Sequence, residues 1–431
     1  MKFSSKFLFF LAAIVAMSCS RKEDPIGSVD VPLAITLTSD AGADDFAAIG
    51  VNTTVDFMVS GNDGADYTDL SRILVNGQEI PGSTYLFEEL GEFLVRAEYE
   101  GVVSNTLTFE VLEPTQRILR IDVPKALRNQ TITFALLDDQ GNNTAEDATF
   151  FVNDTEIEGH TFASANPAEF EVYATYEAND ETHTTATHDF EVFIPKRKVA
   201  IEDYTGTWCG YCPRVALAIQ ELRDMTTDVS VVSIHKESSA MSDPLHYPRV
   251  GELQAMFDVP NSFPKAQLNR TEAWVDGFNI NQVLPMLGTD TDVSIAINSE
   301  LNGANLSVTV DVVYEGGSTA GDKLVVYLLE NGVVSPQTNY FDQTPGHPYE
   351  GMGNPIEDYV HNDGMRNSLS DLFGDAIPQL PAFQKYSKQY AFSVPGHYVG
   401  ENLSFVVMVV DAENNAKNSQ YAWINEAKPF E

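Results

Sequence analysis

Two cysteines separated by two residues, Cys209 and Cys212, are the side chains of this sequence best suited to chemistry. A disulfide between them would close too short a loop to gain much chain entropy, because that term grows with loop length. An apolar strand pattern over residues 199–204 precedes the pair, and a helical pattern follows it. This order places the first sulfur at a helix N-terminus, where the helix dipole and free N–H groups favour a thiolate. The pattern therefore predicts a redox centre rather than a structural crosslink.

The third cysteine, Cys19, ends an N-terminal segment with the features of an export signal. Lys2 and Lys6 precede an apolar run over residues 7–15, which is too short to span a bilayer. The run leads into Ala-Met-Ser-Cys at residues 16–19, which resembles the bacterial lipobox, whose cysteine becomes the lipidated first residue of the mature protein. We predict a signal peptide over 1–19, a lipid anchor on Cys19 and a tether over 20–30. An ordinary signal peptide is the alternative.

The composition restricts the partners of the exported protein. The chain has 25 Lys and Arg residues against 63 Asp and Glu residues, for a net charge of −38. A surface of that sign repels phosphate backbones, which excludes nucleic acid as a partner. The length of 431 residues predicts about three or four domains of roughly 100–150 residues each.

An internal repeat defines the N-terminal half. The sequence around Val75 recurs around Val152, 77 residues later. Both copies alternate apolar and polar residues in short runs bounded by Gly, Asn, Asp and Pro, as half-buried antiparallel strands do. About eighty residues with frequent turn signals are typical of an immunoglobulin-like sandwich. We therefore predict two such domains, at 31–113 and 114–195. At the same offset of 77, the paired segments are 54–57 with 131–134, 75–80 with 152–157, and 93–100 with 170–177.

The cysteine pair lies in a segment with a different period. A helix pattern with apolar residues at 3-and-4 spacing follows the pair, and a nearly continuous apolar strand follows at 229–234. A short helix, the dipeptide Phe263-Pro264, a further strand and a last helix complete an α/β unit, which we place at 196–289. From 290 to 431 the pattern is again β, and it predicts a C-terminal β-sandwich. A long insertion at about 331–386 is predicted to be a functional or edge-covering loop.

These residues resemble a known family. The order of strand, CxxC, helix and strand, with Phe263-Pro264 ahead of a third strand, resembles the thioredoxin fold, in which the dithiol lies beside a cis-proline. Asp-Tyr-Thr-Gly at 203–206, the segment from Pro264 to Arg270 and Tyr-Val-His-Asn at 359–362 are similar to the thioredoxin-like outer-membrane lipoproteins of Bacteroidetes. The resemblance covers roughly residues 196–431 and does not include the repeats.

The resemblance implies a role for each matching residue. Cys209 is the implied nucleophile and is expected to be exposed, and Cys212 is the implied resolving thiol. Pro264 is the implied cis-proline, which pairs with an extended substrate backbone. Asp203, six residues before Cys209, is the implied buried acid that handles the proton of the inner thiol. We expect only one of Asp203 and its neighbour Glu202 to face inward.

The resemblance also implies four substrate contacts. It implies that the redox-active group is the Cys209–Cys212 disulfide itself. Trp208 shields one side of the sulfur, with plain packing as the alternative. The predicted substrate-binding residues are Trp208, Gly210, Tyr211 and Phe263. No further cofactor is expected, and no metal, because a structural zinc site needs four ligands.

Two functions remain open. The first is thiol–disulfide exchange with exported proteins, whose direction stays undecided because Gly-Tyr stands between the cysteines where reductants carry Gly-Pro. The second is a non-catalytic surface binding or adhesion lipoprotein. His235 is predicted either to tune the thiols or to be a loop histidine, and His361 to be structural. Residues 20–24 look like the surface-export signal of Bacteroidetes lipoproteins, so we predict the outer membrane and the cell surface, with the periplasmic face as the alternative.

Overall fold

The computed structural model describes residues 32, 34–42, 45–239 and 241–431. The predicted signal peptide, the predicted lipid anchor on Cys19 and the tether over 20–30 lie outside the described residues. Lipid attachment therefore stays a prediction.

The first repeat forms a β-sandwich of two sheets. One sheet has the order β1-β3-β6, and the other has the order β2-β9-β7-β4-β5, with β8 paired to β7. In β3, Val55, Phe57 and Val59 are buried and the residues between them face solvent, because successive side chains of a strand point to opposite faces. The strands are β1 (Ile35–Ser39), β2 (Phe46–Gly50), β3 (Thr53–Gly61), β4 (Arg72–Val75), β5 (Gln78–Glu79), β6 (Thr84–Phe87), β7 (Gly91–Tyr99), β8 (Val102–Val103) and β9 (Leu107–Leu112).

The second repeat has the same architecture. Its sheets have the orders β10-β12-β15 and β11-β18-β16-β13-β14, with β17 paired to β16. The strands are β10 (Ile118–Ile121), β11 (Lys125–Leu127), β12 (Ile132–Leu137), β13 (Ala148–Val152), β14 (Thr155–Glu156), β15 (Thr161–Phe162), β16 (Ala168–Ala178), β17 (Glu181–Thr184) and β18 (His188–Phe193). The predicted β-sandwich character of both repeats is confirmed.

Equivalent hairpin turns in the two repeats share one backbone conformation. Asn76 and Gly77 have φ values of 48° and 78°, and Asn153 and Asp154 have values of 48° and 59°. Two successive residues with positive φ are the requirement of a type I′ two-residue hairpin loop. The second repeat thus keeps the turn of the first although it lacks the glycine.

The rest of the chain is organised around a nine-stranded sheet. Its order is β22-β21-β19-β20-β28-β25-β31-β32, with β29 also paired to β25. Two helices accompany it, α1 (Pro213–Arg223) and α2 (Val250–Met256). The strands are β19 (Val199–Thr205), β20 (Val229–His235), β21 (Lys265–Leu268), β22 (Glu272–Trp274), β25 (Lys323–Glu330), β28 (Gly364–Ser368), β29 (Asp375–Ala376), β31 (Leu403–Val410) and β32 (Ala416–Trp423).

A four-stranded sheet of order β30-β24-β23-β33 packs against this large sheet. Their shared core includes Val310 and Val312 from the smaller sheet and Val326 and Phe405 from the larger one. A separate pair, β26-β27, lies in the predicted insertion. The strands are β23 (Val293–Asn302), β24 (Asn305–Tyr314), β26 (Val333–Val334), β27 (Val360–His361), β30 (Tyr386–Ser393) and β33 (Ala427–Lys428).

The predicted thioredoxin-like α/β domain is wrong. The described part of the chain is nearly all β, and its two α-helices have only 11 and 7 residues. The helix predicted near Val283 is a pair of 3-10 turns, because Pro285 removes a backbone N–H donor there. Strands β19 and β20 continue through β28 into β25 and β31, so strands on both sides of residue 290 share one sheet.

Strand β19 is buried on both faces. Val199 and Ile201 pack with α1, and Ala200 and Tyr204 pack with α2. We call these the α1 face and the α2 face of the strand. Because side chains alternate, Asp203 lies on the α1 face and Glu202 on the α2 face. The expectation that only one of these two acids faces inward is wrong, since both are buried.

Candidate functional site

Cys209 and Cys212 form a disulfide in the connection between β19 and α1. Their Cα atoms lie 5.4 Å apart. The helix begins at Pro213, so Cys212 is its N-cap residue and Cys209 lies one turn before it. The predicted strand–CxxC–helix order is therefore confirmed, but Cys212 rather than Cys209 lies at the helix N-terminus.

Both cysteines are buried. Cys209 is 4% exposed and Cys212 is 3% exposed, so the expectation of an exposed Cys209 is wrong. A segment from the long insertion, residues 337–341, which we call the covering segment, is hydrogen-bonded to the backbone on both sides of Cys209. The N–H of Thr338 donates to the carbonyl of Thr207 at 2.8 Å, and that of Tyr340 donates to the carbonyl of Gly210 at 3.0 Å.

Side chains complete this cover. Nε2 of Gln337 donates to the carbonyl oxygen of Cys209 at 2.9 Å. A Cβ atom at Gly210 would lie 2.4 Å from the ring of Tyr340, so glycine lets the covering segment approach this closely. Tyr211 is half-exposed and packs edge-on against Tyr340, with ring centroids 5.0 Å apart.

The predicted cis-proline is confirmed. The Phe263–Pro264 peptide bond is cis, and Lys265, the next residue, pairs with Tyr204 of β19. The rings of Trp208 and Phe263 stack 5.8 Å apart, and Nε1 of Trp208 donates to the carbonyl of Lys236 at 2.6 Å. Trp208 and Phe263 thus pack against each other, and their role in substrate binding stays a prediction.

Asp203 lies on the α1 face. It is 4% exposed, and its Oδ1 atom makes no hydrogen bond among the described residues. Burial, and then the negative charge of Asp363, raise the pKa of Asp203 to about 8. A carboxyl group with that pKa is mostly protonated at neutral pH.

Glu202 has the opposite environment on the α2 face. Its Oε1 atom accepts hydrogen bonds from Nε and Nη2 of Arg270 at 2.9 and 2.6 Å. Nη2 of Arg270 also donates to the hydroxyl of Tyr327 at 2.7 Å. This buried ion pair ties β19 to β25, and it makes Glu202 a structural residue.

Two histidines lie next to each other on the α1 side. Nδ1 of His235 lies 3.0 Å from Oδ2 of Asp243, and the rings of His235 and His361 are 5.3 Å apart. Burial, followed by the charge of His235, lowers the pKa of His361 to about 4. Burial opposes ionisation of Asp243, but hydrogen bonds from His235, Thr207 and Leu245 hold its pKa below the usual range.

A cavity of about 270 Å³ lies between the sheet, α1 and the insertion. Asp203 and His235 line it from the sheet, Cys212 and Arg223 from α1, and Tyr359 and His361 from the insertion. Arg223 donates to both carboxyl oxygens of Asp363, at 2.7 and 2.8 Å. Within the described ranges, no group of three or more His, Cys, Asp or Glu residues is arranged to hold a metal ion.

The covering segment and Asp243 were not identified from the sequence. Composition marked the long insertion as a functional or edge-covering loop, but nothing in it indicated which site it would cover. The hydrogen bond between Gln337 and Cys209 joins residues 128 positions apart. Contacts of that separation leave no local pattern.

Comparison with known proteins points to the outer membrane. Residues 252–428, less than half of the chain, match the family described as outer membrane protein Omp28. This match confirms the predicted outer-membrane location, and the protein is an outer-membrane protein. No curated protein matches the sequence. Within the described ranges, no helix combines the length and apolar character needed to cross a bilayer.

Solved structures give weaker likenesses. HBP35 of Porphyromonas gingivalis is 23% identical over 54% of this chain and 77% of that chain, with a TM-score of 0.42. A domain of the outer membrane lipoprotein Omp28 from Porphyromonas gingivalis is 19% identical over 31% and 89%, with a TM-score of 0.20. Fibronectin(III)-like modules of CbhA from Clostridium thermocellum are 12% identical over 37% and 93%, with a TM-score of 0.17.

Proposed function

We propose that this outer-membrane protein is a non-catalytic, ligand-binding surface lipoprotein, anchored through Cys19, in which the Cys209–Cys212 disulfide holds a binding site together. The observation that carries the proposal is the burial of both cysteines beneath the covering segment.

Burial opposes exchange chemistry for a geometric reason. Thiol–disulfide exchange requires an attacking thiolate to reach one sulfur of the disulfide. Here Gln337 and Tyr340 contact the backbone of Cys209 and Gly210. A partner sulfur that approached Cys209 from this side would first have to displace at least three hydrogen bonds of the covering segment.

The crosslink is suited to a structural role at this position. It fixes the conformation of residues 209–212, whose carbonyl groups accept hydrogen bonds from the covering segment. The insertion that contains the covering segment also supplies Tyr359 and His361 to the cavity. Fixing residues 209–212 therefore also holds the insertion that forms one wall of the proposed ligand site.

Thiol–disulfide exchange is the second candidate, and one observation favours it. The carboxyl group of Asp203 lines the same cavity as Cys212, and its raised pKa would allow it to take up and release a proton near neutral pH. The partners would then be thiols and disulfides of exported proteins.

A reduction assay separates the two candidates. The purified full-length protein, in detergent, is mixed with dithiothreitol and insulin, and insulin reduction is compared with that of a Cys209→Ser/Cys212→Ser variant. Under the binding proposal, the two rates agree within about twofold, and the disulfide of the native protein is reduced at least tenfold more slowly than in denaturant. Insulin reduction well above that of the double variant would establish exchange and refute the binding proposal.

The surface location has its own test. Intact cells that express the protein are treated with a protease, and the loss of the protein is compared with the loss of a periplasmic marker. Loss of the protein alone is expected. Protection until the outer membrane is opened would place it on the periplasmic face, and release of the protein from membranes by Cys19→Ala would verify the lipid anchor.

A further inference from the structure

We propose that the cavity beneath the disulfide binds a primary ammonium group, carried by a free alkylamine or by a lysine side chain of a peptide. This inference rests on the proposed binding function and names its ligand chemistry. The cavity has a volume of about 270 Å³, and its walls come from β19, β20, α1 and the insertion. Gln220 of α1 lines it and is exposed, so the cavity opens to solvent beside this residue.

The first requirement of such a site is an unsatisfied acceptor, and Asp203 supplies it. Its side chain lines the cavity and is 4% exposed, and Oδ1 has no hydrogen-bond partner among the described residues. Buried polar groups in folded proteins are almost always paired. A ligand that donates a hydrogen bond would complete this group, and a cationic donor would also stabilise the ionised carboxylate.

A histidine adds an acceptor on the same cavity. His235 donates from Nδ1 to the carboxylate of Asp243, which only accepts. The carbonyl of Ser335 likewise only accepts, so Nε2 of His361 carries the proton and Nδ1 has a lone pair. An ammonium group has three donors and no acceptor, which matches this set.

Aromatic rings and charge also favour a cation. Tyr349 and Tyr359 line the cavity with ring centroids 6.1 Å apart, and the faces of such rings attract cations. The cation already present, Arg223, is paired with Asp363 rather than with Asp203. The net charge of −38 attracts cationic ligands and repels anionic ones.

Calorimetric titration of the full-length protein in detergent tests the site with three probes. These are n-butylammonium, N-acetyl-lysine amide, and n-butanol as the neutral match for butylammonium. Each probe is titrated into the wild type, into Asp203→Asn, and into Asp69→Asn, which removes one exposed carboxylate in the first repeat. Asp69→Asn makes the same substitution at a residue that does not line the cavity.

Both ammonium probes are expected to bind to the wild type and to Asp69→Asn, and Asp203→Asn should weaken them at least tenfold. Butanol should bind at least tenfold more weakly than butylammonium. Tighter binding of the lysine derivative would identify peptide lysine as the natural source, and tighter binding of butylammonium would identify a free amine. Equal affinity of wild type and Asp203→Asn, equal affinity for butanol, or no ammonium binding would overturn the proposal.

Two measurements keep these outcomes distinct. Thermal unfolding of Asp203→Asn should occur at or above the wild-type temperature, so that lost binding cannot be attributed to lost folding. Insulin reduction by the wild type would refute the non-catalytic function while leaving the ammonium titration to be decided on its own result.

Discussion

The two faces of β19 carry adjacent acids with opposite environments. Glu202 on the α2 face is held by Arg270, which also bonds to Tyr327, and rings of Phe257 and Tyr327 lie against the guanidinium. Asp203 on the α1 face has no hydrogen-bond partner for Oδ1 among the described residues and lines a cavity. Equal burial therefore leads to two kinds of group: an ion pair that holds two strands together, and an acid that lines a cavity without a cationic partner.

The difference teaches how to separate structural acids from functional ones. A buried charge is tolerated when it is paired and hydrogen-bonded, and otherwise its pKa shifts until it is neutral. Glu202 meets the first condition and Asp203 meets the second. Substitutions at the two acids and their neighbours test this contrast one group at a time.

The largest effect is expected on the α2 face. Arg270→Leu would leave Glu202 buried and unpaired, which should destabilise the protein by about 3–5 kcal/mol. Urea unfolding followed by fluorescence measures the change. The control is the double variant Glu202→Gln/Arg270→Leu, which removes the buried charge and should recover part of the loss. A single variant within about 1 kcal/mol of wild type would contradict the assignment of this pair as structural.

The second effect, on the α1 face, depends on pH. Asp203 has a pKa of about 8 in the folded protein against about 3.9 in an unfolded chain. Between these values the folded state holds one more proton than the unfolded state, so this group's stabilising contribution is complete below pH 4 and is lost as pH rises through 8. Asp203→Asn removes the titration.

The stability of Asp203→Asn relative to wild type should therefore increase from pH 4 to pH 8 by a few kcal/mol, because each pKa unit corresponds to about 1.4 kcal/mol. Urea unfolding at several pH values measures both proteins. Other titratable groups face the cavity, namely Arg223, His235, Tyr349, Tyr359, His361 and Asp363. These groups are present in both proteins, so their effects largely cancel in the difference in unfolding free energy. If the unfolding free energies of wild type and Asp203→Asn changed in parallel from pH 4 to pH 8, Asp203 would have to be ionised throughout that range.

The sequence predicted well wherever the pattern is local. Alternation identified the strands of both repeats, since each of their sheets buries one face. The order of strand, CxxC and helix and the cis-proline at Pro264 were also predicted correctly, because the residues lie close together in the chain.

The prediction failed where distant segments decide the outcome. Two short helices between apolar strands suggest a self-contained α/β domain, but they cannot indicate that β20 pairs with β28, more than 120 residues later. The burial of Cys209 and of both acids of β19 depends on the covering segment and on strands such as β25, which no local period encodes. The predictions of an α/β domain and of an exposed Cys209 were wrong for this same reason.

The third effect concerns the covering segment beside the disulfide. Gly210→Ala would place a Cβ atom 2.4 Å from the ring of Tyr340, so the covering segment has to shift. We expect a stability loss of about 1–3 kcal/mol and faster reduction of the disulfide by dithiothreitol. The control is Gly251→Ala in α2, where a Cβ atom meets nothing within 4 Å and helix propensity favours alanine. Unchanged reduction kinetics in Gly210→Ala would mean that the cover does not limit access to the sulfurs.

The smallest effect returns to the α2 face and tests how completely Arg270 satisfies Glu202. The hydroxyl of Tyr204 donates to Oε2 of Glu202 at 3.4 Å, which is a long hydrogen bond. Tyr204→Phe should therefore cost less than about 1 kcal/mol in urea unfolding. Tyr327→Phe is the comparison, because its hydroxyl accepts from Arg270 and donates to the carbonyl of Leu372, both at 2.7 Å. If Tyr204→Phe proved the more damaging of the two, the hydroxyl of Tyr204 would have to be counted with Arg270 as a main partner of Glu202.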